Sequence, residues 1–295
     1  MATFHIGEHA FTAPPLAAGL YLVATPIGNL GDVTLRAMQT LAACDFIYCE
    51  DTRVTGKLLQ RYGIRNAMRN HHDHNEDKTT GDIAAAVRDG KAIALVSDAG
   101  SPIISDPGYK LVAACVAAGL PVTSVPGASA VVAGLQLSAL PSDTFSFLGF
   151  LPEKKTQRIK RLEAFASHPC TMVFYESPHR VLDALEDIDT TYGTRRIAVA
   201  RELTKMHEET LRGSACDIHA ILASRPSIKG EFAIIVSAVL LDDQPVDDAT
   251  VETAITDALR DMPAGKAAAL VAKRFNLAKG NIYSRILRRK PDGQA

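Results

Sequence analysis

The sequence predicts an α/β fold: two α/β domains with mostly parallel or mixed sheets, a ligand cleft between them, and a small helical unit at the C-terminus. Short apolar runs of strand length alternate with segments whose apolar residues recur at helical spacing, the pattern of sheets covered by helices. Those runs empty into loops of Gly, Ser, Asp and Pro. The 295 residues, 47% hydrophobic and 22% charged, suffice for two packed cores. The expected division is an N-terminal tail over 1–16, an N-terminal α/β domain over 17–125, a C-terminal α/β domain over 126–240, and a linker with a small, basic helical domain over 241–295.

In the first α/β segment the strand-like runs are Leu20–Ala24, Phe46–Cys49, Ala92–Val96 and Val122–Val125. Between the first two, Leu35, Met38 and Leu41 share one helical face. After the third, Asp106 as N-cap and Pro107 at the first helical position open a helix that Gly119 closes. The second segment offers strands at Thr144–Phe147, Thr171–Tyr175, Arg196–Ala200, Glu209–Arg212 and Phe232–Ala238. Helices fall between them at Val131–Leu137, Arg158–Ala166, Arg180–Ile188 and Ser214–Ala223. The acidic, Pro-containing stretch Leu241–Asp248 reads as a linker. Beyond it, Ala267, Leu270, Val271, Phe275, an Asn276-Leu277 turn, Ile282, Ile286 and Leu287 fit either a helix-turn-helix or a helical hairpin packed on the body or a partner subunit.

Composition excludes several classes. Cys44, Cys49, Cys115, Cys170 and Cys216 form no CxxC pair and several lie in apolar runs, so they read as reduced core residues, with neither a disulfide framework nor a zinc site. The N-terminus has no basic start before an apolar stretch, and no window approaches the run of about 18 apolar residues that spanning a bilayer needs. A cytoplasmic protein without membrane contact is expected. The net charge of −1 conceals an uneven distribution: Asp242–Asp257 carries six acids and no base, whereas Arg260–Ala295 carries nine Lys or Arg against two Asp. A second basic cluster, Lys154, Lys155, Arg158, Lys160 and Arg161, follows the apolar run Phe145–Leu151. A solvated helix face explains either cluster alone; two on a nearly neutral chain favour a nucleic-acid partner.

The candidate site lies at strand ends. Residues 94–108, ALVSDAGSPIISDPG, run from a strand into a small-residue loop, and Pro126-Gly127-Ala128-Ser129-Ala130 follows eighteen residues later. Ligands of open α/β sheets sit outside the carboxyl ends of strands, where such loops bring backbone amides close to a bound molecule. The turn Thr25–Asp32 lacks G-x-G-x-x-G, and a Walker A sequence is absent, so neither a dinucleotide site nor nucleotide hydrolysis is supported. Glu50-Asp51-Thr52-Arg53 follows the second strand; one acid is expected to bond Arg53 or a helix N-terminus while the other faces the cleft. His71-His72-Asp73-His74-Asn75-Glu76 fits a mobile loop at the substrate entrance better than a metal site. Tyr175–Arg180 ends a strand, with Ser177 as N-cap and Pro178 at the first helical position. Capping leaves Glu176, His179 and Arg180 as surplus polar groups. Arg201–Lys205 adds Arg, Glu and Lys at another strand end, and Gly230 before the last strand suits close approach of backbone to a ligand.

In order, TPIGNLGDVTLRA, EDTR, SDAGSPIISDPG, PGASA, YESPHR, RELTK and KGEF resemble the tetrapyrrole-methylase superfamily. Within it the resemblance is to the bacterial methyltransferases that modify a cytidine ribose 2′-oxygen in the decoding region of small-subunit (16S) ribosomal RNA, over nearly the whole chain from about Leu20. It implies S-adenosylmethionine as methyl donor, bound between two α/β domains, a homodimer, and small-subunit ribosomal RNA or the 30S subunit as partner. The tetrapyrrole branch usually opens with a glycine-richer G-x-G-P-G-D turn, of which only Gly28 is kept here, so a tetrapyrrole-precursor C-methyltransferase is the weaker alternative. A non-catalytic RNA-binding protein is the other. By the resemblance, cofactor contacts fall to Pro26, Asp98, Ala99, Gly100, Ser101, Pro102, Ser129, Ala130, Phe174 and Tyr175. A sulfonium methyl is already electrophilic, so positioning dominates, and a base must take the hydroxyl proton. That base is open among Glu50, Asp51, Asp98, Glu202 and Lys205, with Arg53 or Arg201 holding phosphate or screening oxyanion charge. Lys154, Lys155, Arg158, Lys160, Arg161 and the C-terminal Arg285, Arg288 and Arg289 would hold the RNA backbone.

Overall fold

The computed structural model describes residues 2–72, 75–239, 248–275 and 279–288. Its first element lies within the segment expected as a tail. Strands β1 (Thr3–Ile6) and β2 (His9–Thr12) form an antiparallel hairpin, turned by Gly7 at a φ of 60°. Phe4 is fully buried, its ring 5.5 Å from that of Phe11, and the His5 amide donates to the Tyr62 carbonyl at 2.8 Å. These contacts tie the segment to the first core.

The first sheet contains β3 (Gly19–Val23), β4 (Phe46–Cys49), β5 (Met68–Asn70), β6 (Ala92–Val96) and β7 (Val122–Val125) in the order β5-β4-β6-β3-β7, every pairing parallel. Central β6 is buried at every residue, which is why it reads as an unbroken apolar run and not as an alternation. Helices α1 (Leu35–Ala43), α2 (Thr52–Arg61), α3 (Glu76–Arg88) and α4 (Tyr109–Ala117) connect the strands. Thr34 caps α1, its hydroxyl accepting from the Ala37 amide at 3.1 Å. The expected opening of α4 is corrected: its N-cap is Gly108, at a φ of 122°, and Asp106 and Pro107 lie in the preceding loop. Buried Glu76 of α3 decides this by accepting from the Gly108 amide at 3.0 Å. Gly119, at a φ of 67°, follows α4 as expected.

The second sheet is reached through α5 (Ala130–Ser138), whose Val131 and Leu135 pack on Ala198, Ala233 and Ile235. It contains β8 (Phe145–Phe150), β9 (Thr171–Glu176), β10 (Ile197–Arg201), β11 (Glu209–Gly213) and β12 (Phe232–Val236) in the order β11-β10-β12-β9-β8. Only β8 and β9 pair in parallel. Because β12 runs against both β9 and β10, its start lies at the sheet edge where those two end. Helices α6 (Lys155–Glu163), α7 (Val181–Tyr192) and α8 (Ala215–Ala223) complete this half. Ser214 caps α8 through the Asp217 amide at 3.1 Å. Ser177 does not cap α7. Residues 178–180 form a turn, Arg180 is the N-cap, and the Ser177 carbonyl accepts from the Arg180 and Val181 amides.

Both sheets belong to one compact unit, residues 1–166 and 170–237. The second unit, residues 167–169 and 238–295, holds α9 (Asp248–Asp261), α10 (Ala264–Phe275) and α11 (Lys279–Arg288) around Ile255, Ala267, Val271 and Ile282. The expected linker at 241–247 and the Asn276-Leu277 turn lie outside the described residues. Among the described residues no helix is long and apolar enough to cross a membrane.

Candidate active site

Strand ends of both sheets meet around a cavity of about 340 Å³. The loop after β6 contributes Ala99, Gly100 and Ser101, the turn into α5 contributes Ser129 and Ala130, and β9 contributes Tyr175. The sequence placed all six there. Gly100, at a φ of 77°, exchanges backbone hydrogen bonds with Thr25 at 2.8 and 3.1 Å, joining this loop to the turn after β3. A side chain at Gly100 would be strained and would meet Ile27 at 3.4 Å. The turn before α5 is equally close: a Cβ on Gly127 would sit 3.0 Å from that of Ala24.

Apolar walls come from Ile27, Ile104, Phe150 and Leu203, with Tyr175 edge-on to Phe147 at 4.8 Å and to Phe150 at 5.8 Å. The polar groups are few: Ser101, Ser105, Asp106, Ser129, Ser177, Glu176 and Glu231. Glu176 is buried, and burial pushes its carboxyl up against the opposing hold of the Ser177 amide at 2.8 Å and Arg180 at 3.0 Å. Arg180 also donates to the Leu151 carbonyl, so one guanidinium ties the end of β9 to the loop after β8.

The other predicted cofactor residues stand off the cavity wall. Pro26 and Pro102 are buried beside it, and the Phe174 side chain points into the core with Leu185 and Phe232, as the alternation along β9 requires. Asp98 accepts from the Asp51 amide at 3.1 Å, and burial pushes its carboxyl up.

Nor do the catalytic candidates share one surface. Asp51 caps α2 through the Arg53 amide at 2.7 Å and pairs with the Arg53 guanidinium at 2.6 Å, which holds its carboxyl at about 2. Its neighbour Glu50 is exposed. Glu202 and Lys205 sit in the loop after β10, where Lys205 Nζ donates to Glu202 at 2.8 Å and to Glu231 at 3.0 Å. Partial burial pulls the Lys205 ammonium down, but these carboxylates outweigh it and hold it above the usual lysine range; Glu202 is held below its own. Lys205 is thus a charged donor, the wrong protonation state for a base. Arg201 is engaged by the Lys229 carbonyl at 2.6 Å and Glu209 at 3.0 Å.

Among the described residues five non-glycine positions have positive φ; of these, Ile103 and Ser105 lie in the loop after β6, and Glu202 and Thr204 in the loop after β10. Strained backbone thus gathers at the two loops that face each other across the site. They touch the turn after β3: the Asn29 amide donates to Thr204 at 3.1 Å, and a Cβ on Gly28 would lie 2.5 Å from Lys205. Gly230 does permit a close approach, but of the Glu202 side chain, which a Cβ there would meet at 2.4 Å.

The basic cluster on α6 is corrected at one position. Arg158 is buried and pairs with buried Asp187 at 2.6 Å, so it belongs to the core. Lys154, Lys155, Lys160 and Arg161 are exposed, Lys155 beside Glu186 and Asp187 and Arg161 stacked on Phe165 at 4.6 Å. In the second unit Arg288 is exposed and Arg285 pairs with Asp248 at 2.7 Å; Arg289 lies outside the described residues. His71 is buried and bonded to Thr79 at 2.8 Å, not part of an open loop, while Asp73 and His74 lie outside the described residues. Among the described residues no group of three or more His, Cys, Asp or Glu is placed to hold a metal ion.

The model of the family "Tetrapyrrole (Corrin/Porphyrin) Methylases" matches residues 19–218, and that of the "RsmI C-terminal HTH domain" matches residues 245–290. The chain belongs to the tetrapyrrole methylase family. It is 44% identical over 287 residues to Ribosomal RNA small subunit methyltransferase I of Mesorhizobium japonicum, covering 97% of each chain. It is 48% identical to the protein of that name from Erythrobacter litoralis, over 96% of this chain and 99% of the other. Among solved structures, a cobalt precorrin-4 methyltransferase superposes with a TM-score of 0.56 at 17% identity, over 74% of this chain and 94% of that one, and shares the fold. Within the family, then, this chain groups by sequence with the ribosomal RNA members.

The sequence pointed to the loop after β6 and to Tyr175 but not to Glu176, Phe150 and Glu231 as wall residues. A signal existed for each. Glu176 was surplus to capping, Phe150 ends a strand, and Glu231 immediately precedes one that runs antiparallel away from the same edge.

Proposed function

We infer that the chain transfers a methyl group from S-adenosylmethionine to the ribose 2′-oxygen of a cytidine in small-subunit ribosomal RNA. The observation that carries this reading is one cavity lined from both halves, by Gly100 and Ser101 on one side and Ser129, Ala130 and Tyr175 on the other, in a chain 40–48% identical to relatives bearing the ribosomal RNA methyltransferase name. The cofactor fits the residues present: the apolar slot of Ile27, Ile104 and Leu203 suits an adenine, and the hydroxyls and backbone near Gly100 and Ser129 suit the polar parts. When bound, the sulfonium supplies an electrophilic methyl group. The chain's own work is to align the ribose oxygen with it, exclude water, and accept one proton. Glu202 and Asp51 are held ionised at low affinity for a proton, whereas burial raises Glu176, which also lines the cavity and is therefore the better-placed acceptor.

The reading extends to a cytoplasmic homodimer. Tyr109 and Val116, 75% and 63% exposed and two turns apart on α4, give an apolar stripe of the kind a second copy covers. Sedimentation yielding a monomer would remove that extension alone. Incubation with methyl-labelled cofactor and unmethylated small subunits tests the reaction. Label recovered as 2′-O-methylcytidine after nucleoside digestion is the expected result; label confined to a tetrapyrrole precursor overturns it.

A further inference from the structure

Resting on that reading, we propose that the exposed side of α2 and the segment after it form a phosphate-binding ridge that holds the backbone of the RNA substrate beside the cavity. From Thr52 to His72 the chain carries five Arg or Lys and no Asp or Glu, with the cations at every fourth residue: Arg53, Lys57, Arg61, Arg65 and Arg69. All five are exposed. Four residues advance a helix about 6 Å and turn it only some 40° past a full circle, so Arg53, Lys57 and Arg61 line one side of α2. Thr55, Leu58 and Leu59 are buried on the other. Arg69 lies apart from this row: on β5 it faces the other side of the sheet, its guanidinium over the Phe46 ring at 3.7 Å and donating to the Tyr48 hydroxyl at 3.2 Å, whereas α2 packs on the side of Ile47 and Cys49.

Charge pairing separates this ridge from an ordinary solvated helix. Among the described residues only Arg53 of the five is in an ion pair, with Asp51; a structural surface helix interleaves acids with its bases. Like charges four residues apart on a helix repel, and a partner with regularly repeated negative charge relieves that repulsion. RNA backbone is that partner, one charge per nucleotide. The ridge also starts at the site: Asp51, the N-cap of α2, donates its amide to Asp98, the residue before the Ala99–Ser101 cavity wall. On α6, by contrast, Arg158 is buried and Lys155 lies beside two acids.

The test uses the full chain with Lys57→Ala, Arg61→Ala and Arg65→Ala combined, and unmethylated small ribosomal subunits as the probe. Binding is measured from about 50 to 200 mM salt, where each lost phosphate contact flattens the plot of log K against log salt by about 0.7. The expected result is a slope flatter by about 2 and a KM for subunits raised on the order of tenfold, with cofactor affinity unchanged. Lys57→Arg with Arg61→Lys and Arg65→Lys restores the slope, and Lys78→Ala with Arg88→Ala on α3 leaves it alone. A slope and KM equal to wild type in the triple alanine variant overturn the ridge. If the wild type binds subunits but methylates none, the proposed reaction fails, and the salt slope still decides the ridge.

Discussion

The two sheets reach the same cavity by different routes. In the parallel sheet every strand points its carboxyl end at one edge, so the turns after β3, β4, β6 and β7 arrive there in sequence order. In the mixed sheet β9 and β10 end at the site but β12 begins there, so Glu231 joins the loop after β10 by preceding its strand. A parallel sheet thus advertises its functional residues after each apolar run, whereas a mixed sheet places some of them in front of one.

The largest expected effect probes the charged helix of the mixed half. Arg158→Ala leaves buried Asp187 with only the more distant Lys155 at 3.6 Å and should cost about 3 kcal/mol in chemical denaturation, while Lys160→Ala leaves stability within about 0.5 kcal/mol. Equal effects at the two positions would put Arg158 back on the surface. Next comes a paired glycine test, one from each half. Gly100→Val forces a branched side chain to a φ of 77° at the cavity wall and should weaken cofactor binding by calorimetry about tenfold or more, with a stability loss of about 1–2 kcal/mol. Gly230→Ala instead displaces the Glu202 side chain and should lower turnover more than cofactor affinity. If both changes altered binding alike, the two halves would not divide the labour in this way.

Thiol reactivity gives a smaller, cleaner contrast. Burial pushes the Cys44 thiol up to about 12, and Cys49, Cys115 and Cys170 are also buried, whereas Cys216 on α8 is exposed. A thiol reagent at pH 8 should label one cysteine quickly and four only on unfolding; two fast sites would contradict the packing of one core. The sign for stability follows. The folded chain holds the Cys44 proton more tightly than the unfolded chain, so this contribution is whole below about pH 8.5 and is lost as pH rises towards about 12.

Strands were legible where burial on both faces leaves an unbroken apolar run, as at Phe46–Cys49 and Ala92–Val96, while the edge strand Val122–Val125 has buried Val125 and part-buried Val122 around an exposed Thr-Ser pair; all three fall where the sequence put them. Features set by distant partners were not. Asp106-Pro107 has the local look of a helix start, but Glu76, 32 residues earlier, binds the Gly108 amide and moves the start. Arg158 reads as one cation among five until Asp187, 29 residues on, buries it. The hairpin at 3–12 depends on Phe4 meeting a core built from later residues. The same limit applies at the site, where the sequence marked the loop after β6 and left the Glu202–Lys205–Glu231 pairing invisible.

If loops of both sheets close on one S-adenosylmethionine site, a crystal structure with S-adenosylhomocysteine will show ligand density touching Gly100 or Ser101, Ser129 or Ala130, and Tyr175 together. Density held by one half alone, away from these residues, would contradict a shared site.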